Sequence, residues 1–501
     1  MSVPPPVVVP ELLERLRADL SAAGFTVEGV ESFLGPVAAA ALRRDELLPA
    51  ERHTRHDRSP LGALVRLFAL AVEVDFDAVD AALPSLGGDG LVELGLAARA
   101  GAALRACADL RPYGDEEHAW WVASDLTHSP ERGPLEPYHV VGVGGASVTL
   151  AQWAPRPRVA RALDLGTGSG VQALHLVSHA EHVVATDVSE RALAFARFNA
   201  ELAGVDWELR AGSMFEPVAG ELFDLVVSNP PYVITPRSAK VPVFDYRDGG
   251  ASGDGIVEMI VRQVADHLVP GGIAHFIGNW EIPAGDDWTS RLRDWLGGTG
   301  LDAWIVQRDV QDPAEYAATW ARDGGHLPGS WVYEEMYAAW LDDFAARGVE
   351  GIGFGIVTLQ KPAVEREPFI DLVEVAGPVG QPMGPSVLAG LRERTWLAEH
   401  SDAELLDCRL QAASDVTIER HYLPGGADPA AIVIRQGGGL RRTVRVGAAV
   451  AAAVDVADGE LTLGQSLVAI ASLLGDDAED VRAEALPVIR GLFADGFVRR
   501  V

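Results

Sequence analysis

RALDLGTGSGVQALHL, residues 161–176, decides how the rest of the chain is read. RALDL is an apolar run that reads as a buried strand, and VQALHL opens a helix. Gly166, Gly168 and Gly170 stand between them at alternate positions. A residue without Cβ takes positive φ and lets a ligand approach the backbone closely, here at the strand's C-terminal end. A strand, a glycine turn and a helix in that order form the first unit of a doubly wound α/β sheet. The next strand, HVVATDV, ends in Asp187, 17 residues after Gly170. An acid at that point suits hydrogen bonds to ribose hydroxyls.

The alternation continues downstream. ERALAFARFNAELAG reads as a helix, DWELRAGS and FDLVVSN as strands, IVEMIVRQVADHLV as a helix and GGIAHFIGNW as a strand. WTSRLRDWLGG is a helix, and LDAWIVQRDV and EGIGFGIVTLQK are the last strands. Strands separated by helical segments predict a mostly parallel sheet. This domain is expected over 127–361, with a helical insertion at about 311–349. Tyr333, Tyr337, Trp340 and Phe344 share one face of that insertion. They read as a core-facing stripe, and functionally as a lid over a substrate mouth. Residues 1–126 and 362–501 read as flanking α+β modules of winged-helix-like pattern. The second has a hairpin around Gly437, Gly438 and Gly439.

Composition narrows the classes. A chain of 501 residues holds two to four domains. Cys107 and Cys408 are the only cysteines, which excludes a disulfide framework or a Cys-based zinc site and fits a reducing cytoplasm. MSVPPPVVVP has no basic start and no long apolar core, so no signal peptide is expected, and no apolar run is long enough to span a bilayer. The formal net charge of −31 repels nucleic acid at long range. A nucleic-acid role therefore needs a local basic patch. Arg435, Arg441, Arg442, Arg445, Arg490, Arg499 and Arg500 make the C-terminal end locally basic. His175 and His179 are four apart, but the glutamate of HExxH is missing and their helix packs on the sheet, so they read as packing or surface residues and no metal is expected.

The strand FDLVVS runs into Asn229-Pro230-Pro231-Tyr232. Two prolines remove two backbone donors and fix two φ angles. An amide or exocyclic amine is a poor nucleophile, because its lone pair is delocalised into the π system. Two acceptors on its N–H groups position it and turn the lone pair toward an electrophile. The Asn229 side-chain oxygen is one such acceptor and the Pro230 carbonyl the other, while Tyr232 can stack on a planar target. The chemistry needs orientation more than a strong base.

With LDLGTGSG, the ATD strand end, FARFNAELAG and SNPPYV together, the sequence resembles the class I S-adenosylmethionine-dependent methyltransferases. Within them it resembles the branch with Asn-Pro-Pro-Tyr/Phe after strand four. That branch includes the HemK-like glutamine N-methyltransferases and the RsmC/RlmG-like guanine N2-methyltransferases of ribosomal RNA. GDGIVEMI, residues 253–260, resembles the segment that follows the motif in HemK-like enzymes. The resemblance covers about 144–280, with the sheet continuing to about 360. It implies a seven-stranded Rossmann-like sheet and S-adenosyl-L-methionine as cofactor. By position, Asp164 and Gly166 fall beside the methionine part, Thr167 is a further cofactor-binding residue of the same loop, and Gly168 and Gly170 allow close approach. Asp187 falls on the ribose and Val188 beside the adenine. Gly212-Ser213-Met214 stands where the family often has an Asp for the adenine amino group, so Ser213, Met214 or Phe215 takes that place. GGASVTL (144–150) stands where relatives cover the cofactor, which brings in Thr149. Asn229 lies beside both cofactor and substrate, with Pro230, Pro231 and Tyr232 completing the catalytic loop.

The substrate stays open between an exocyclic amine in RNA and the glutamine amide of a translation-related protein. A small-molecule N-methyltransferase, or a cofactor-binding regulator or scaffold without turnover, is the alternative. FDYRDGG (244–250), which lacks the family's Glu-Pro pair, and Asn279 with Trp280 are candidate rim residues. The N-terminal region does not visibly match the helical substrate domain of HemK-like enzymes.

Overall fold

A computed structural model describes residues 3–126, 136–238, 241, 244–323, 326 and 328–501. At its centre is one eight-stranded sheet. Its strands are β1 (Val159–Leu165), β2 (Ala180–Asp187), β3 (Glu208–Ala211), β4 (Phe223–Ser228), β5 (Leu268–Pro283), β6 (Asp302–Gln311), β7 (Val349–Gln360) and β8 (Ile370–Glu374). The spatial order is β3-β2-β1-β4-β5-β7-β6-β8. Strands β1 to β5 pair in parallel, and β7 runs antiparallel to both β5 and β6. The order reverses between β1 and β4, so their C-terminal ends border the crevice where an open α/β sheet binds ligands.

The helices of this domain are α1 (Gly145–Trp153), α2 (Val171–Leu176), α3 (Glu190–Ala203), α4 (Gly255–Gln263), α5 (Trp288–Leu296), α6 (Pro313–Asp323) and α7 (Trp331–Arg347). The strands of the sheet are apolar almost throughout, as a sheet covered on both faces requires. Leu163, Leu165 and Val226 pack in one cluster with Val257 and Ile260, and Ala162, Leu225 and Val227 in another with Leu150 and Leu174.

The sheet has one strand more than the seven expected. β8 pairs in parallel with β6, Ala303 opposite Ile370. It follows a Pro-rich passage and is only half-buried, so neither alternation nor an apolar run marks it. It also lies beyond residue 361, where the central domain was expected to end. The insertion stripe faces the core: Tyr333, Met336, Trp340 and Phe344 of α7 are buried, and Tyr337 stacks on Tyr333.

The N-terminal module has helix Pro60–Ala69, strand Val74–Asp75, helices Phe76–Ala82 and Gly87–Glu93, and strands Ala97–Ala100 and Ala103–Ala106. The first strand pairs with the last, the winged-helix order. A hairpin, Asp109–Gly114 with Ala119–Ser124, then joins the two domains. Successive strand residues point to opposite faces. Trp120 accordingly packs in the central core, while the Trp121 indole donates to the Phe25 carbonyl at 2.6 Å.

In the C-terminal module the hairpin Ala431–Gln436/Thr443–Val446 turns through Gly437–Gly439, and a third strand, Val416–His421, extends it. The chain ends in strand Asp458–Thr462, helices α9 (Leu463–Leu474) and α10 (Ala478–Ala494), and strand Val498–Arg500. Strand Arg409–Ala412 lies between those two end strands, after helix α8 (Asp402–Asp407).

Candidate active site

The glycine loop is shaped by a buried acid. Asp164, 1% exposed, accepts from the Thr167 hydroxyl at 2.6 Å and from the Ala173 N–H at 3.0 Å through one oxygen. It thereby ties the loop to the first turn of α2. Burial pushes its pKa up to about 7, and the charge of Asp187 adds to the rise. Gly166, Gly168 and Gly170 all have positive φ, at 74°, 56° and 90°. A Cβ added at Gly166 or Gly168 would meet nothing within 4 Å, so this backbone borders open space. At Gly170 the same Cβ would lie 3.1 Å from the Trp207 ring, so this glycine serves packing.

Asp187 closes the loop from the next strand. One carboxylate oxygen accepts from Gly168 N–H at 2.8 Å and the other from Ser189 N–H at 2.9 Å. Its pKa is raised, first by burial. A carboxylate has about four acceptor positions, so acceptor capacity remains for a ribose hydroxyl. Val188 beside it is 67% exposed and offers an apolar edge. Ser213 is exposed, and Met214 is half-buried at φ 48°. Phe215 turns away from this face: it is buried and stacks on His267 at 4.5 Å.

The Asn-Pro-Pro-Tyr loop leaves β4 beside this cleft. Asn229 donates from Nδ2 to the Ser147 hydroxyl at 3.3 Å. Its Oδ1 is buried and has no partner. A buried acceptor without a donor is costly, and such an orphan points to a ligand group that completes it. The Pro230 carbonyl accepts from Tyr232 N–H at 2.8 Å. One of its two lone pairs is therefore used within the loop and one remains. The Tyr232 ring is half-buried and lies edge-on to Trp320, with centroids 6.4 Å apart. Burial pushes its phenol up to about 12, so it stays protonated.

Residues 142–295 match the family model of the methyltransferase small domain. Residues 142–295 are a methyltransferase small domain. Residues 22–107 and 389–500 match two domains of unknown function. Over 125 residues the chain is 39% identical to the release factor glutamine methyltransferase of Geobacter sulfurreducens, covering 23% of this chain and 44% of that protein. It is 36% identical over 125 residues to the ribosomal protein uL3 glutamine methyltransferase of Bradyrhizobium diazoefficiens, covering 23% and 39%. The release factor glutamine methyltransferase of Bordetella pertussis is 36% identical over 196 residues, 36% of this chain and 65% of that one. The chain spans about half the length of the curated relatives it matches.

Some residues around the site were not foreseen. Ser147 of α1 reaches the Asn229 amide, while Thr149, two positions on, is exposed. Two positions on a helix differ by about 200°, so only one of them can face the loop. The Gln172 amide donates to the Ser147 carbonyl at 2.9 Å and links α1 to α2. Tyr316 of α6 accepts at its hydroxyl from Ile234 N–H and from the Asn279 amide, both at 2.8 Å. The Trp340 indole donates to the Ile234 carbonyl at 2.7 Å. The insertion thus holds both backbone groups of Ile234, two residues after Tyr232. Long-range contacts of this kind leave no local pattern in a sequence.

Around the mouth, Arg247 is buried against Phe244 and donates to the Trp320 carbonyl at 3.0 Å and to Asp323 at 2.8 Å. Asp248 accepts two bonds from Arg237. His175 and His179 pack as expected. His175 Nε2 lies 2.7 Å from the Tyr113 hydroxyl and Nδ1 3.2 Å from Asp115, while His179 bonds the Pro157 carbonyl. Among the described residues no group of three His, Cys, Asp or Glu could hold a metal ion.

Proposed function

We propose that this protein is an S-adenosylmethionine-dependent N-methyltransferase acting on the side-chain amide of glutamine in a translation-related protein, in the cytoplasm. The observation that carries the reading is the buried, unpartnered Oδ1 of Asn229 beside a glycine loop open to a ligand. The residues present fit the cofactor. Gly166 and Gly168 would border it, Asp187 would hold the ribose, and Val188, Ser213 and Met214 would lie along the adenine. When bound, the cofactor supplies an electrophilic methyl group on sulfonium. Asn229 Oδ1 accepts one N–H of the target amide and the free lone pair of the Pro230 carbonyl accepts the other. Both bonds strengthen as positive charge builds on that nitrogen, so they favour the transition state over the ground state. Pro230 and Pro231 keep competing donors out of the loop, and the Tyr232 ring limits the tilt of the planar group.

A protein substrate is favoured over RNA because four of the seven arginines that make this end basic are paired with carboxylates of the same chain. Arg435 pairs with Glu419, Arg442 with Asp495, Arg490 with Asp402 and Arg500 with Glu393. The exposed side of α10 carries Glu479, Asp480 and Glu484. The names of the relatives support the same choice.

The test is transfer of labelled methyl from S-adenosylmethionine into RNA, protein and small-molecule fractions of a lysate lacking the gene. Label in a protein, recovered as methylglutamine after digestion and lost with Asn229→Ala, is expected. Asn229-dependent label in RNA would replace the substrate, and cofactor binding with no such label anywhere would make the protein a regulator.

A further inference from the structure

One exposed helix far from the cleft in sequence has no charged side chain. α9, LGQSLVAIASLL, contains no Asp, Glu, Lys or Arg, in a chain that is 23% charged. Its inner face, Leu463, Leu467, Ile470 and Ala471, is buried in the C-terminal core. Its outer face carries Gln465, Val468, Ala469, Ser472 and Leu473 at one helical spacing. Val468 is 59% exposed and Leu473 87%. A solvated helix normally carries charge on that face, and an exposed apolar one marks a contact surface.

The face borders a groove of about 790 Å³ between α8, α9 and the start of α10. Small side chains, Ala403, Gly464, Ala469 and Ala478, line it, so another chain can approach closely. Its edges are acidic. Asp407 and Glu479 line it, and exposed Asp476, Asp477 and Asp480 stand beside them. Arg482, the single cation among the lining residues, is paired with Glu479.

We propose that this groove docks a cationic amphipathic segment of another protein. A second copy would set acidic rim against acidic rim in a chain of net charge −31. Nucleic acid and an anionic bilayer are repelled for the same reason. A helix with apolar residues on one side and Lys or Arg on its flanks satisfies floor and rim together. This assignment does not depend on the chemistry of the cleft.

The full chain is titrated with a fluorescent amphipathic helix of about 18 Leu and Lys residues, and with a scrambled peptide of equal composition. The amphipathic peptide is expected to bind in preference, with affinity falling as salt rises. Val468→Gln and Leu473→Gln, neutral changes at exposed positions that leave the fold intact by circular dichroism, each weaken it at least about tenfold. Equal binding of the two peptides, or affinity unchanged in both variants, overturns the proposal. A dimer in sedimentation that Leu473→Gln dissolves would assign the face to a second copy. Binding to phosphatidylserine vesicles lost in the same variants would assign it to a membrane.

Discussion

A carboxamide has two ends, and which end faces a substrate decides whether it accepts or donates. In Asn229 the Nδ2 end is occupied by Ser147 and the Oδ1 end is left without a donor. Ser147→Ala removes that acceptor, and the amide can then turn its N–H groups toward the target. The expected result is kcat reduced about tenfold with cofactor Kd unchanged, and recovery in Ser147→Thr, in steady-state methyl transfer. Asn229→Ala removes the acceptor itself, and a loss of about a hundredfold in kcat is expected. Asp164 makes a separate prediction, through pH. Its folded pKa is raised to about 7, above the ordinary range of an unfolded Asp, so between those values the folded state holds a proton that the unfolded state has lost. Stability through this group therefore falls as pH climbs from about 4 to 7. Asp164→Asn keeps an acceptor for Thr167 and Ala173 and removes the titration. The difference between the two proteins in urea unfolding grows in the variant's favour with rising pH, while shared groups such as His175, lowered by burial to about 4, cancel. A difference independent of pH would mean that Asp164 is not held neutral.

Elements around the site were legible to different degrees, for physical reasons. β1, β2 and β4 are short apolar runs that end in the candidate site residues, because a sheet buried on both faces needs the run and a ligand at its edge would need the ending. The Asn-Pro-Pro-Tyr loop was legible because proline acts on its own backbone. The stripe on α7 favours a core and leaves a lid as the functional alternative, and only tertiary contacts show that Tyr316 of α6 and Trp340 of α7 brace Ile234. Tyr316→Phe tests that bracing. It leaves Ile234 N–H and the Asn279 amide without their acceptor, at a cost of about 1–3 kcal/mol in urea unfolding. Because those groups lie just beyond the Asn-Pro-Pro-Tyr loop, kcat should fall with it if that loop is catalytic as proposed. The GDG segment is similar in kind. Asp254 is buried, accepts from Glu281 N–H at 2.8 Å, and takes two bonds from Arg291. It anchors the end of β5 and the start of α5. Asp254→Ala is expected to cost about 3 kcal/mol while cofactor affinity holds.

At the scale of the molecule, three domain-sized pieces meet around one sheet, and the sheet's edge makes one of the joins. β8 lies where composition suggested a linker, and its half-buried residues are completed by chain from the C-terminal module. Arg394, 4% exposed, is the centre of that join. Its guanidinium lies over the Trp304 ring of β6, 3.9 Å from ring centroid to carbon. It donates to Asp371 of β8 at 2.7 Å, to the Ala494 carbonyl at 2.6 Å and to Asp495 at 2.7 Å. A single side chain thus joins β6, β8 and the end of α10. Asp495 also takes Arg442, so it stays paired if Arg394 is lost, whereas Asp371 does not. Asp371 is about a third exposed and can resolvate, so the larger penalty falls on the Ala494 carbonyl and on the emptied space over Trp304. Arg394→Met keeps the packing over the indole and deletes the hydrogen bonds, while Arg394→Ala deletes both. If the join is polar, the two variants lose similar stability, about 3 kcal/mol, and the C-terminal module melts before the sheet. If it is mainly packing, Arg394→Met stays close to the parent and only Arg394→Ala separates the transitions. Differential scanning calorimetry of the three proteins distinguishes the two outcomes, and the three bonds from one buried guanidinium to Asp371, Ala494 and Asp495 favour the first.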